Sequence, residues 1–242
     1  MQRAWEAGNN FLLMTDWLVI YIGMNAPRQA PRRPAQPRWR RRAGERPDEV
    51  LDAALDLFIE RGFSPTRVED IARRAGLSKG AVYLYFDSKE AILIALIRRA
   101  VVPVAEGAMT IVARATGDPR ETIATIVRLV VGRLSDPRLS AIPRLVLAEA
   151  ASFPELAQIY RREVIDRGLG ALETLIRRGV DTGVFRSVDP HLAVRNIVGP
   201  VLVQMLLTTV FARPDDEVPA ERFIESHLDI LMHGLVRSGM ED

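Results

Sequence analysis

The amino-acid sequence predicts an all-α protein, with a small three-helix domain followed by a larger helical domain. Apolar residues recur at helical spacing, and no useful length of chain alternates with the period of two that a half-buried strand requires. Several segments open with aspartate followed by proline, a pair that suits the N-cap and first position of a helix. The 242 residues are enough to bury a sizeable core. We place the small domain at residues 46–92 and the larger one at 93–242.

Residues 1–45 fit neither domain and are predicted to be a disordered extension. An apolar stretch over 11–24 is shorter than the ~20 residues that a membrane span needs, and it lacks the charge and cleavage pattern of a signal peptide. Because Asn-Ala-Pro follows Met24, we expect translation to begin at Met24 or at Met14. The alternative is an extension that is disordered or touches a membrane.

The first helix of the small domain is predicted to begin at Pro47 and to end near Gly62. Proline suits the first helical position, and the acids Asp48 and Glu49 complement the positive end of the helix dipole. The apolar face of this helix continues into a small three-helix core. The residues expected there are Leu51, Phe58, Phe63, Val68, Ile71, Val82 and Phe86.

Two short helices then meet at a single glycine. Apolar residues at i, i+3, i+4 and i+7 place one face of the first helix in the core. Thr66 and Glu69 form a predicted capping box at its start, and Gly76 is expected to end it with a positive φ. Ser78 then caps the second helix. This layout is a helix-turn-helix, which places its second helix in the major groove of DNA.

The sequence from Ile71 to Glu90 reads Ile-Ala-x-x-Ala-Gly-Leu-Ser-Lys-Gly-x-Val-Tyr-x-Tyr-Phe-x-Ser-Lys-Glu. With this pattern the chain resembles the DNA-binding domain of TetR/AcrR-type bacterial transcriptional regulators, over about residues 47–99. Downstream, it matches the family in size and helical character. The resemblance implies a homodimeric repressor that binds an operator in double-stranded DNA and releases it when a small ligand binds.

Candidate DNA contacts lie at the starts of both short helices and beyond the second. Lys79 offers an ammonium group to a phosphate or base edge, beside backbone N–H groups. Tyr83 and Tyr85 cannot both face the core, and the resemblance implies that this Tyr-x-Tyr element contacts phosphate, so we favour Tyr83. Ala81 suits a thymine methyl group, and the family often holds a phosphate near Lys89. The candidates are Thr66, Arg67, Ser78, Lys79, Gly80, Ala81, Tyr83, Tyr85 and Lys89.

Charge is distributed unevenly along the chain. Residues 1–100 hold 17 Lys and Arg against 12 Asp and Glu, a net charge of +5, whereas the remainder holds 16 against 19, a net charge of −3. The basic half is the one with the helix-turn-helix, as expected for a nucleic-acid-binding end. Residues 25–46 hold eight arginines and one acid, Glu45. They are either a solvated tail or an arm that contacts phosphates or a minor groove.

The larger domain is predicted to contain six further helices, at 88–115 with a kink near Pro103, 119–134, 138–151, 155–182, 190–212 and 220–238. Residues 197–212 carry no charge, and a helix that is apolar all round is buried all round. One side would pack within the subunit and the other against a second copy, as the family pairs its last two helices. The assigned interface residues are Val201, Met205, Leu206, Ile224, Leu228, Leu231 and Leu235. The alternative for this stripe is ordinary core.

A ligand pocket in the larger domain would be mostly apolar, because leucine, valine, isoleucine and alanine dominate this region. That composition favours a hydrophobic or amphipathic small molecule. The candidate pocket residues are Arg144, Phe153, Tyr160, Gln204 and Met205, each of which also suits the core or the surface.

The sequence does not favour an enzyme. It contains no cysteine, its three histidines lack a metal-ligand spacing, and no glycine-rich phosphate loop or nucleophile elbow stands out. We therefore expect no cofactor, no metal, no stable membrane insertion and a cytoplasmic location. Two other functions stay open: a non-inducible or architectural DNA-binding protein, and a membrane-associated interaction protein.

Overall fold

A computed structural model describes residues 38–213, 215 and 218–236, and over these residues the predicted all-α fold is confirmed. The helices are α1 (Arg38–Arg61), α2 (Val68–Arg74), α3 (Lys79–Tyr83), α4 (Lys89–Leu96), α5 (Val102–Arg114), α6 (Pro119–Leu134), α7 (Pro137–Glu149), α8 (Pro154–Tyr160), α9 (Asp166–Asp181), α10 (Pro190–Thr209) and α11 (Ala220–Leu235). Two π-helical turns, Ile97–Val101 and Arg161–Ile165, join α4 to α5 and α8 to α9. Within the described residues, β pairing is limited to an isolated antiparallel bridge between Phe185 and Val236.

Helix α1 begins at Arg38, so the predicted start at Pro47 is wrong, as is the predicted disorder of residues 38–45. Pro47 lies inside the helix, where it withholds one backbone donor. The arginines, alanine and glutamate before it have high helix propensities, which favour continuing the helix toward the N-terminus. Residues 1–45 and 46–242 form separate units. The expected translation start and the rest of the basic arm lie outside the described residues.

In the turn of the helix-turn-helix, Gly76 has the predicted positive φ and Ser78 is the predicted cap of the second helix. Gly76 has a φ of +68°, and the Ser78 hydroxyl oxygen accepts a hydrogen bond from the Ala81 N–H at 3.1 Å. The predicted capping box is wrong. The N-cap of α2 is Arg67, and Thr66 instead donates its buried hydroxyl to the Gly62 carbonyl oxygen at 2.7 Å.

One apolar core joins α1–α4 to two helices of the larger domain. Six of the seven residues predicted for it are buried, and Phe86 packs against them half-buried. The same core contains Ile142 and Val146 from α7 and Leu156 from α8. The helix-turn-helix is therefore packed directly against the larger domain.

A second core lies among α5, α6, α9, α10 and α11. Its fully buried members are Ile123, Leu175, Ile176 and Val194. The predicted helices of this region agree with the observed ones to within a few residues, except that a π-helical turn interrupts the predicted helix over 155–182. The other π-helical turn ends just before Pro103, near the predicted kink, where proline cannot donate the next helical hydrogen bond.

Candidate nucleic-acid interface

Helix α3 is positioned by a cap, a turn and one buried side chain. Ser78 caps its start, Gly76 makes the tight turn that precedes it, and Val82 is fully buried in the first core. The side chains of Lys79 and Tyr83 are consequently exposed on the outer side. A short helix held in this way presents polar groups from a rigid support.

Lys79 forms an ion pair with Glu69 near the start of α2, and its ammonium nitrogen lies 5.7 Å from the centroid of the Tyr83 ring. Hydrogen bonding between the two raises the pKa of Lys79 and lowers the pKa of Glu69. Both side chains are about half exposed, at 51% and 50%. The predicted DNA contact thus carries an acidic partner that we had assigned only to a capping box.

Tyr83 and Tyr85 are 42% and 37% exposed, so each presents part of its ring to solvent. Tyr85 is therefore not fully packed under the next helix. Leu84 between them is 81% exposed. Sequence reasoning did not single it out, because a leucine carries no polar group that would signal a contact.

Thr66 is the predicted DNA contact that the structure contradicts. Its side chain is 2% exposed, its hydroxyl donates to Gly62, and its backbone N–H donates to the Phe63 carbonyl oxygen at 3.2 Å. Burial leaves it no free polar group for DNA. Three other candidates are exposed: Arg67, Ser78 and Gly80. Ala81 is half-buried. The contacts of these four residues with DNA stay predictions.

Lys89 is tied into the fold rather than free on the surface. Its ammonium donates to the carbonyl oxygens of Phe63 at 2.7 Å and Ser64 at 3.1 Å, and lies 4.2 Å from the centroid of the Phe63 ring. Partial burial lowers the pKa of Lys89. Two of its three N–H donors are used internally, so at most one is left for the predicted phosphate contact.

A second ion pair lies at the opposite end of α2. Arg74 makes two hydrogen bonds to Glu60 at the end of α1, at 2.9 Å and 2.7 Å. Arg73 pairs with Asp70 within α2. The charges of Arg73 and Arg74 are therefore balanced by neighbouring carboxylates.

Four of the five predicted ligand residues have contacts within the fold. The Phe153 ring packs edge-on against Phe63 at 5.6 Å, and Tyr160 packs in the same first core. Arg144 lies elsewhere, where its guanidinium donates to the Thr209 carbonyl oxygen at 3.2 Å, and Met205 on the same helix α10 is buried. Their part in ligand binding stays a prediction.

A shallow depression of about 410 Å³ lies between the end of α5 and the start of α6. It contains none of the predicted ligand residues. Its lining presents more apolar than polar surface and is formed by Thr110, Ile111, Arg114, Ala115, Gly117, Asp118, Glu121, Thr122 and Thr125.

The residues assigned to a dimer interface mostly face the interior of the subunit. Val201, Met205, Ile224, Leu228, Leu231 and Leu235 are all buried within the single chain, and Leu206 is half-buried. The opposite side of α10 is exposed instead, at Leu202, Val203 and Leu207, and so are Val210 and Phe211 directly after the helix. Most of the residues that we assigned to a contact with a second copy therefore pack within the subunit.

Among the described residues, no group of three or more His, Asp or Glu side chains is arranged to hold a metal. His227 is buried. Its Nε2 lies 3.0 Å from the Ile197 carbonyl oxygen, and its ring stacks on Phe223. This position ties α11 to α10.

Comparison with known proteins decides the family. The family model for "Bacterial regulatory proteins, tetR family" matches residues 50–96, and the model "Tetracyclin repressor-like, C-terminal domain" matches residues 113–226. The chain is 31% identical to the HTH-type transcriptional repressor KstR2 of Rhodococcus jostii (strain RHA1) over 195 residues, or 77% of this chain and 89% of that protein. The chain belongs to the TetR family.

Other relatives of this TetR-family protein agree in fold and class. It is 26% identical to the fatty acid metabolism regulator protein of Bacillus subtilis (strain 168), over 77% of this chain and 94% of that one. The structure of SmeT, the repressor of a Stenotrophomonas maltophilia multidrug efflux pump, matches with a TM-score of 0.67 and 26% identity, over 81% and 93% of the two chains. The structure of B. subtilis FadR in complex with stearoyl-CoA shares the fold, with a TM-score of 0.61. The two sequences are 23% identical, and the match covers 77% of this chain and 98% of that one. The protein is a DNA-binding transcriptional regulator, as its helix-turn-helix predicted.

Proposed function

We propose that this TetR-family protein is a homodimeric repressor that binds its operator through α3 and leaves it when a hydrophobic or amphipathic small molecule binds. The observation that carries the proposal is the outer surface of α3. Lys79 and Tyr83 are exposed on this helix, whose inner side is anchored by Val82, and Tyr85 is exposed just beyond its end. Donors on a rigid element are what phosphate and base contacts require.

The exposed side of α10 is the proposed contact between subunits. Leu202, Val203, Leu207 and Phe211 are 40%, 54%, 47% and 64% exposed in the single chain. A row of large apolar side chains of this kind favours burial against a partner. Two subunits would bring two recognition helices to half-sites about 34–36 Å apart, which a monomer cannot do.

The proposed ligand class is supported by the composition of the larger domain and by its relatives. One relative is named for fatty acid metabolism, and FadR of B. subtilis binds stearoyl-CoA in its structure. The depression between α5 and α6 presents more apolar than polar surface, which is compatible with such a ligand.

Coupling between ligand and DNA is proposed to run through α7 and α8. The Phe153 ring touches Phe63 of the DNA-binding domain, and the Ser64 hydroxyl donates to the Glu149 carboxylate at 3.3 Å. A ligand that favours another position of α7 and α8 would therefore shift the recognition helices. By linkage, DNA would weaken ligand binding by the same factor.

The test is genome-wide mapping of the sites that the protein occupies, followed by affinity measurements on the recovered fragments. We expect a two-fold symmetric site, a dimer by light scattering at micromolar concentration, and release of the fragment by long-chain acyl compounds. Binding with no sequence preference over competitor DNA would instead indicate an architectural protein, and a persistent monomer would contradict the proposed assembly.

A membrane-associated protein is the second candidate, and one observation favours it. Helix α10 is long and apolar enough to cross a membrane, by length and composition alone. One side of this helix nevertheless packs in the second core. We propose a cytoplasmic location, and recovery of the protein in the membrane fraction after a high-salt wash would contradict it.

A further inference from the structure

The ion pair between Lys79 and Glu69 supports an inference that rests on the proposed function and concerns its specificity. We propose that the two side chains together read one G·C base pair of the operator. Lys79 donates to the guanine, and Glu69 accepts from the amino group of the paired cytosine. Glu69 is thus a specificity-determining residue.

The fold brings an acceptor and a donor side by side on the surface that meets DNA. Lys79 is the first residue of α3, and Glu69 is the second residue of α2. Their charged groups are in contact and both are about half exposed. Glu69 forms no capping box with Thr66, because Thr66 is buried and the N-cap of α2 is Arg67.

The major-groove edge of a G·C pair matches this arrangement. Guanine offers two neighbouring acceptors, N7 and O6, and cytosine offers the N4 amino donor beside them. A lysine ammonium can bond both guanine acceptors while a carboxylate accepts from the amino group. In an A·T pair the acceptors flank the donor and the thymine methyl crowds the edge, so the same pair of side chains fits less well.

A carboxylate near DNA also has a cost, which makes the proposal testable. Phosphates repel Glu69, and its pairing with Lys79 makes the two side chains together neutral. The pair therefore contributes little to non-specific attraction and acts mainly through discrimination between bases. Removal of Glu69 should have two opposite effects, tighter binding to non-specific DNA and weaker selection at one base pair.

The experiment begins with selection of a preferred site from a pool of random DNA duplexes by the wild-type protein. Affinities are then measured for wild type, Glu69→Ala and Glu69→Gln on that site and on all single base-pair changes in one half-site. At one position we expect wild type to prefer G·C by about tenfold, and Glu69→Ala to lose most of this preference. Glu69→Gln should move the preference toward A·T, because glutamine pairs with adenine N6 and N7.

The matched control is Glu60→Gln. Glu60 also pairs with an arginine of α2, is 46% exposed, and lies at the other end of that helix. The Glu60→Gln variant should leave the base preferences unchanged. Lys79→Met should lose discrimination at the same base pair as Glu69→Ala, and circular dichroism verifies that each variant is folded.

Two results would overturn the inference while leaving the proposed function intact. The first is unchanged base preference in Glu69→Ala, which would make Glu69 only a restraint on Lys79. The second is that the two variants lose discrimination at different base pairs. If the wild-type protein selects no site from the pool, the proposed function itself fails and the inference with it.

Discussion

The Phe185 ring packs against the backbone of Gly179, and the Phe185 N–H donates to the Gly179 carbonyl oxygen at 2.9 Å. A Cβ added at Gly179 would overlap three carbons of that ring. Phe185 is 2% exposed and also bridges to Val236, so this contact joins the end of α9 to the end of α11. A close approach of this kind tolerates no side chain.

Gly179→Ala should therefore destabilise the protein by about 1–3 kcal/mol, because the Phe185 ring must move within a packed core. Gly170→Ala in the same helix is the control. A Cβ there meets nothing within 4 Å, so alanine should raise stability by up to about 1 kcal/mol through its helix propensity. Urea unfolding of both variants measures the difference, and equal effects would contradict the packing argument.

Tyr160 should make stability fall at alkaline pH. Burial raises the pKa of Tyr160 from 10.0 to about 12. The unfolded chain then loses this proton first, so the contribution is complete below pH ~10 and is lost as the pH rises toward ~12. Between pH ~9 and ~12, we expect the free energy of unfolding to fall by about 2–3 kcal/mol less in Tyr160→Phe than in the wild type. Urea unfolding across this pH range measures the difference. If the free energy of unfolding fell equally with pH in Tyr160→Phe and in the exposed control Tyr85→Phe, Tyr160 would not be the source of the alkaline loss.

Tyr83→Phe tests the phenolic hydroxyl on α3. The Tyr83 side chain is 42% exposed, so loss of its hydroxyl should not prevent folding. A hydrogen bond to a phosphate is worth about 1.5–3 kcal/mol, so operator affinity should fall by about tenfold or more. Fluorescence anisotropy with a labelled operator measures this change in affinity. Undiminished affinity in a folded variant would remove Tyr83 from the contacts.

Leu207→Glu should separate the proposed dimer. Leu207 is 47% exposed on α10, where a carboxylate would be buried between subunits without a partner. Leu147→Glu is the matched control, because Leu147 is 55% exposed on a different helix, α7. Light scattering should give a monomer for the first and a dimer for the second. A dimer in both cases would move the interface away from the exposed side of α10.

Local sequence was sufficient for the helices and for the turn of the helix-turn-helix. The Asp-Pro starts of α6, α7 and α10 and the glycine turn at Gly76 were predictable, because caps and positive φ depend on a few adjacent residues. Val82 and its neighbours at helical spacing likewise identified the first core.

Packing decided what local rules left open. Thr66 satisfies the capping pattern, yet burial in the finished fold turns its hydroxyl toward Gly62. The face of α10 that meets solvent could not be read from a helix that is apolar on every side, because no polar face marks it. Glu69 and Lys79 are ten residues apart along the chain and meet only because the turn at Gly76 folds α3 back against α2. Contacts between helices depend on their relative placement, which the spacing of residues within one helix does not specify.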